Sequence, residues 1–289
     1  MNYHLCKDVM CNDARRKAFN ELAVKTFQLS FENWYQAGYW EETNMPYTLF
    51  DNEKAVANVS ANRMELIWRG KRRRYIQLGT VMTDGAYRNQ GLSRFLMDEI
   101  MKDWENQCDS IFLFANKTVL DFYPKFGFKR EKQYQYSTRV NKALGLRRKM
   151  DMSCLQDREM LKKYYTKSNP FSSLQVVNNY SLLMFYCSSF MKDCLYYIPQ
   201  YDAVVIAEQK GSMLHCFDIF CDDGKNLNDI ICSATPEGTK EVVLGFTPKN
   251  GLNYEVKPVD DSDNALFVLK SKENIFEGQK LIFPEMFHT

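Results

Sequence analysis

The sequence contains no run of about 18 consecutive apolar residues, so it offers no ordinary membrane-spanning helix. Residues 1–13 are polar and lack the apolar core of a secretory leader. Nine cysteines are present, an odd number, with no C-x-x-C pair among them. That scatter fits reduced thiols better than a disulfide framework, and a cytoplasmic location is expected. A metal site is equally poorly provided for. His215-Cys216-x-x-x-x-Cys221 on an alternating strand does not bring its ligands to one face, and with Cys232 these residues read as buried thiols. Asp260-Asp261-Ser262-Asp263 lacks the glycine and distal glutamate of a calcium loop and reads as a turn. The basic run Lys71-Arg72-Arg73-Arg74 follows Gly70 and marks a solvated hairpin tip. No accompanying basic fold points to nucleic acid.

What is present suits packed cores: 289 residues, 45% hydrophobic and 14% aromatic, enough for one large or two ordinary domains. The net charge of +2 conceals an asymmetry. Residues 1–140 carry 21 Lys and Arg against 17 Asp and Glu, a net +4; residues 151–289 carry 13 against 19, a net −6. Two readings stay open: a basic half for an anionic ligand beside an acidic half for a cationic one, or two halves that attract each other.

The most informative stretch runs from Leu78 to Cys108. An apolar run, 78–81, leads to the turn Thr83-Asp84-Gly85-Ala86, then to Arg88-Asn89-Gln90-Gly91-Leu92-Ser93. Leu92, Phe95, Leu96, Ile100 and Trp104 then recur at helical spacing. A strand thus feeds a glycine-containing loop that opens a helix. The first N–H groups of a helix lack internal partners and sit at the positive end of its dipole. Gly91 lets backbone approach a phosphate, and Arg88 adds a bidentate cation, so the loop can bind an anion. Downstream, 111–114 reads as a buried strand, followed by Asn116 and a short helix carrying Leu120, Phe122 and Tyr123 that ends at Gly127.

Arg88-x-x-Gly91-x-Ser93 resembles the pyrophosphate loop R/Q-x-x-G-x-G/A of the GNAT superfamily of N-acetyltransferases. Asn116, Phe122-Tyr123 and Gly127-Phe128 resemble that family's N-x-x-A-x-x-F/L-Y-x-x-x-G-F segment. Both lie in the family's order and spacing within about fifty residues, 78–128. Ser93 stands where Gly or Ala is usual, Val119 where Ala is common and Ala86 where Pro is common. The resemblance implies an α/β (α+β) GNAT fold, a mixed, mostly antiparallel sheet with a splayed parallel strand pair at 77–82 and 111–114. It implies acetyl-CoA as co-substrate, held by Val81, Met82, Thr83, Arg88, Asn89, Gln90, Gly91, Leu92, Ser93 and Asn116. An acceptor's primary amine attacks the thioester directly, and Tyr123 serves as general acid for the departing thiolate.

The general base has several candidates. Gln77 stands where many members place a Glu, and it cannot accept a proton. Glu65, Glu41 or Glu42 acting through water, an amine arriving neutral, or a carboxylate from the second half are alternatives; the terminus at Thr289 is one, because tandem relatives can fold their tails toward the first domain. A non-catalytic acyl-CoA-binding or regulatory protein on the same fold is the rival reading.

In chain order, Asp13 caps a helix whose face is Phe19, Leu22, Ala23 and Phe27, and Ser30 caps a short helix over 31–37. The aromatic, acidic loop 39–44 reads either as a lip over the acceptor or as a surface loop pinned by Trp40. Strands are expected at 47–50, 54–68, 72–82 and 134–140. A basic linker, 141–152, then divides a catalytic domain, 1–140, from 153–289. The second part reads as a helix opened by the capping box Ser153-Cys154-Leu155-Gln156, a helix over 179–191, strands at 195–198, 203–209 and 213–221, a helix over 226–233, and strands at 241–246 and 265–270. That order repeats the first part, so a degenerate second copy of the fold is expected. Asp222-Asp223-Gly224-Lys225 would repel a pyrophosphate, leaving one acetyl-CoA site per chain. The expected partner is a small-molecule or peptide amine, with neither nucleic acid nor membrane involved; a homo-oligomer is compatible.

Overall fold

The structure is a computed structural model that describes residues 3–140 and 144–289. The first part forms β1 (His4–Cys6), α1 (Asp13–Phe27), α2 (Glu32–Gln36), β2 (Asn44–Asp51), β3 (Lys54–Trp68), β4 (Lys71–Thr83), α3 (Leu92–Trp104), β5 (Ser110–Ala115), β6 (Phe128–Glu131) and β7 (Tyr134–Arg139). The second forms β8 (Arg148–Lys149), α4 (Leu155–Tyr165), β9 (Leu174–Val177), α5 (Tyr180–Cys187), β10 (Leu195–Ile198), β11 (Ala203–Lys210), β12 (Met213–Phe220), α6 (Leu227–Ala234), β13 (Glu241–Leu244), β14 (Glu255–Pro258) and β15 (Ala265–Leu269). No helix among the described residues is long and apolar enough to cross a membrane.

The strands assemble into two mixed sheets. One has the order β1-β2-β3-β4-β5-β15-β6, with β9 added beside the end of β3. The other has the order β14-β7-β13-β12-β11-β10-β8. Each holds one parallel pair, β4 with β5 and β12 with β13, among antiparallel neighbours. Alternation along the strands sorts the cores. In the first sheet Ile76, Leu78, Ile111, Leu113, Ala265 and Phe267 pack against Leu92, Leu96, Met97 and Ile100 of α3. Tyr75, Phe112, Leu266 and Val268 face the other way, into a core shared with Leu161, Leu183, Val204 and Ile206 of the second part.

The two parts exchange strands across the expected linker at 141–152. Residues 134–139 leave the first sheet and pair with β13 and β14, whereas β15 enters the first sheet between β5 and β6. The reason lies in their faces. Every residue of β15 is nearly inaccessible, as a strand covered on both sides must be. The more polar β7 sits toward the other sheet's edge, next to β14. A cut at 141–152 therefore separates neither sheet; residues 141–143 of that expected linker lie outside the described residues.

Local departures have local causes. Asn12, not Asp13, caps α1, its Oδ1 accepting from the Arg15 N–H at 3.0 Å. Ser153 bonds to Asp151, so Cys154 takes the N-cap of α4 without a side-chain bond. Helix α5 stops at Cys187, where Ser188 and Ser189 donate back to the carbonyls of Met184 and Phe185. After β5 only a 3-10 turn forms, Tyr123–Phe126, because Pro124 removes an N–H and Gly127 turns left-handed. Phe95 faces outward, 45% exposed; Met97 takes the buried place on α3.

Candidate active site

The site begins with a defect in β4. Asn58 pairs with Met82 but Ser60 pairs with Gly79, so β4 carries an extra residue there. Thr80 takes a left-handed φ of 49°, and its carbonyl accepts from Asn58 Nδ2 at 3.0 Å. A β-branched residue in that conformation is held by its surroundings. Pairing of β4 with β5 runs only from Tyr75 to Leu78, against Ser110 to Leu113. Beyond it the strands splay, and residues 79–83 present a backbone edge with no strand partner on that side.

At the end of β4, Asp84 accepts from the Ala86 N–H and pairs with Lys25 and Lys54 at 3.0 and 2.9 Å. The Lys54 and Ala86 hydrogen bonds hold its carboxyl well below the usual range. This anchor fixes the loop that follows. Asn89 and Gly91 have φ of 61° and 77°, and Gly91 caps α3. Arg88 is exposed and makes no ion pair among the described residues. The Ser93 hydroxyl lies 3.0 Å from that of Thr83, tying the helix start to the strand end.

These features open onto one cavity of about 800 Å³. Val81, Met82, Thr83, Arg88, Asn89, Gly91, Leu92, Ser93, Asn116 and Tyr123 all line it. Gln90 does not; its Oε1 accepts from the Tyr3 hydroxyl at 2.7 Å, outside the cavity. Asn116 Oδ1 is spent on the Thr118 N–H and hydroxyl, which leaves its amide NH₂ for a ligand. Tyr123 is 4% exposed, and its hydroxyl has no hydrogen-bond partner among the described residues. Burial pushes it up to about 12, so the phenol is protonated at neutral pH.

The tail enters from the other side. A Cβ built on Gly79 would overlap the Thr289 hydroxyl and lie 2.8 Å from that residue's backbone carbonyl carbon. Asn62 Nδ2 donates to that hydroxyl at 3.1 Å and to the Gln77 carbonyl at 3.0 Å. The Gln77 side chain, wholly buried, donates to the Phe287 carbonyl at 2.8 Å and accepts from the Thr289 N–H at 2.9 Å. Holding the tail needs a donor and an acceptor on one side chain; a carboxylate could not do it. The His288 ring stacks on Phe114 with centroids 3.8 Å apart, and burial lowers it to about 4, so it is neutral.

The acidic candidates are elsewhere. Glu41 and Glu42 line neither this cavity nor its neighbour, and Trp40, stacked on Trp34, pins their loop. Glu65 pairs with Arg72 at 2.8 Å. Reasoning from sequence missed Phe27, Asp263, Asn264 and His288 as lining residues. Asp263 and Asn264 reach the site because β15 pairs with β5, a contact no local pattern announces. His215 pairs with Glu285 at 2.7 Å, and no group of three metal-ligating side chains stands together among the described residues.

Residues 11–130 match the family model of the acetyltransferase (GNAT) domain. No curated protein sequence matches the chain. Among solved structures, a conserved protein of Enterococcus faecalis V583, described as a probable N-acyltransferase, superposes with a TM-score of 0.63 at 15% identity. It covers 93% of this chain, which spans 72% of that one. A GCN5-related N-acetyltransferase of Kribbella flavida and Eis1 of Mycobacterium abscessus each give 0.58 at 12% identity, covering 92% of this chain and 71% and 72% of theirs. These are likenesses of fold. The match to the acetyltransferase (GNAT) domain falls on the part of the chain that holds the splayed strands and the glycine loop, and the chain as a whole carries two mixed sheets.

Proposed function

We propose that the protein is an acetyl-CoA-dependent N-acetyltransferase with one active site, in the 800 Å³ cavity. The observation that carries the reading is that an anion-binding loop, an unpaired strand edge and an unpartnered buried phenol line the same space. Arg88 and the N–H groups at Asn89–Gly91 hold the pyrophosphate. The edge of residues 79–83 offers hydrogen bonds to the pantetheine and to the carbonyl oxygen as it gains charge. Tyr123 donates its proton to the leaving thiolate, and the phenolate is then reprotonated from solvent. Asn62 and Gln77 hold the hydroxyl and N–H of Thr289 at the mouth of the splayed strands, where the incoming amine is to be positioned.

The test is Tyr123→Phe, assayed by free-thiol release with a panel of amines. Turnover should fall about 10²–10⁴-fold while acetyl-CoA affinity stays within about threefold. Unchanged turnover would remove Tyr123 from the mechanism. Binding of acetyl-CoA with no amine-dependent thiol release would favour an acyl-CoA-binding regulator.

A further inference from the structure

A second cavity, of about 440 Å³, adjoins the first. The two share Phe27, Thr80 and Thr289 and no residue of the Arg88–Ser93 loop, so they meet at the reacting end of the site. Its walls come from both parts of the chain: Phe31 and Trp34 from one, Leu182, Phe185, Tyr186 and Phe190 from the other. Phe185 stacks on Phe31 at 5.4 Å and meets Trp34 edge-on at 5.2 Å. The Trp34 indole N–H donates to the Ser181 carbonyl at 2.9 Å, which clamps α2 to α5. Phe190, 62% exposed, stands where its ring can meet an entering ligand.

No Asp, Glu, Lys or Arg side chain lines this cavity. Its polar side chains are largely spent: Asn44 Nδ2 donates to Asn62, and the His288 ring bonds to Asn264. A second cation on the acceptor would be stripped of water here and find no partner, whereas an aryl or branched alkyl group would be well covered. The size suits one ring and a short linker. Resting on the acetyltransferase reading above, we infer that the acceptor is a monocationic primary amine carrying an aromatic or bulky apolar group, an arylalkylamine, seated between α2 and α5 with its nitrogen at Thr80 and Thr289. Polyamines and amino-sugars do not fit this lining.

The experiment measures kcat/KM by thiol release for phenethylamine, spermidine and kanamycin at saturating acetyl-CoA. It is paired with calorimetric binding of phenethylamine to the wild type and to Phe190→Asp. Phenethylamine should exceed the others by about 30-fold or more. Phe190→Asp should weaken phenethylamine binding about tenfold and leave acetyl-CoA affinity unchanged. Spermidine or kanamycin used equally well, or a Phe190→Asp variant that binds phenethylamine like the wild type, would overturn the assignment. So would decanoyl-CoA outcompeting acetyl-CoA as donor, because the cavity would then hold an acyl chain. Phenethylamine that binds as expected but is never acetylated would sustain the pocket and remove the enzymatic reading instead.

Discussion

Replacing Gly79 by alanine adds a single methyl group, and the structure says where it goes. The new Cβ would lie 2.8 Å from the backbone carbonyl carbon of Thr289 and overlap its hydroxyl. Gly79 is not in the left-handed region, so alanine fits its backbone, and the clash falls on the tail. Displacing the tail breaks the two Gln77 bonds, 2.8 and 2.9 Å, and the Asn62 bond to Thr289 at 3.1 Å. At about 0.5–1.5 kcal/mol each, the loss is about 2–4 kcal/mol, enough to leave the tail undocked most of the time. If the docked tail positions the amine, turnover measured by thiol release falls about 10²-fold. The calorimetric Kd for acetyl-CoA stays within about threefold, because the loop proposed to hold the pyrophosphate is untouched. Wild-type turnover in the variant would refute the role of the tail. Parallel loss of acetyl-CoA binding would show that the methyl group acts on the nucleotide side.

Phe185→Ala removes a half-buried ring that stacks on Phe31 and meets Trp34 edge-on, and it should cost about 2–3 kcal/mol in urea unfolding, with both parts still melting in one transition. A second, earlier transition would show that the parts are not coupled through α2 and α5. Asp218 is buried, and burial pushes its carboxyl up to about 7 although it accepts from Asn169 Nδ2 and the Ile219 N–H. The folded state therefore keeps its proton longer than the unfolded state, and stability falls as pH rises from about 4 to about 7. Asp218→Asn preserves an acceptor oxygen and should be the more stable protein at pH 8, by on the order of 2–4 kcal/mol, with little difference at pH 4. An equal effect at both pH values would contradict the burial argument.

The parts of this architecture that were legible in the sequence are those set by near neighbours. Strand, loop and helix from Leu78 to Trp104 follow from residues within one turn of each other, whereas the short helix expected after β5 is only a 3-10 turn, because Pro124 removes an N–H. The bulge at Thr80 was not legible, because Asn58 on another strand holds it. Nor was the exchange of β7 and β15: both read as strands, and only the covering of both faces of β15 decides its place. Gln77 shows the limit most clearly. It stands out as a missing glutamate, yet its partners are Phe287 and Thr289, more than two hundred residues on, and they require an amide. Of the two readings of the loop 39–44, the surface loop pinned by Trp40 agrees with the structure, where a tryptophan stack holds it and Glu41 and Glu42 line neither cavity.

The central claim is that the loop at Gly91 holds acyl-CoA, and calorimetric titration of acetyl-CoA into the purified protein tests it most directly. Binding in the micromolar range is expected for the wild type. It should be lost in an Arg88→Ala, Gly91→Glu double variant, which removes the cation and places a carboxylate where the pyrophosphate sits. No heat of binding in the wild type, or equal binding in the variant, would mean that this loop is only the start of a helix, and the acetyltransferase account would fall with it.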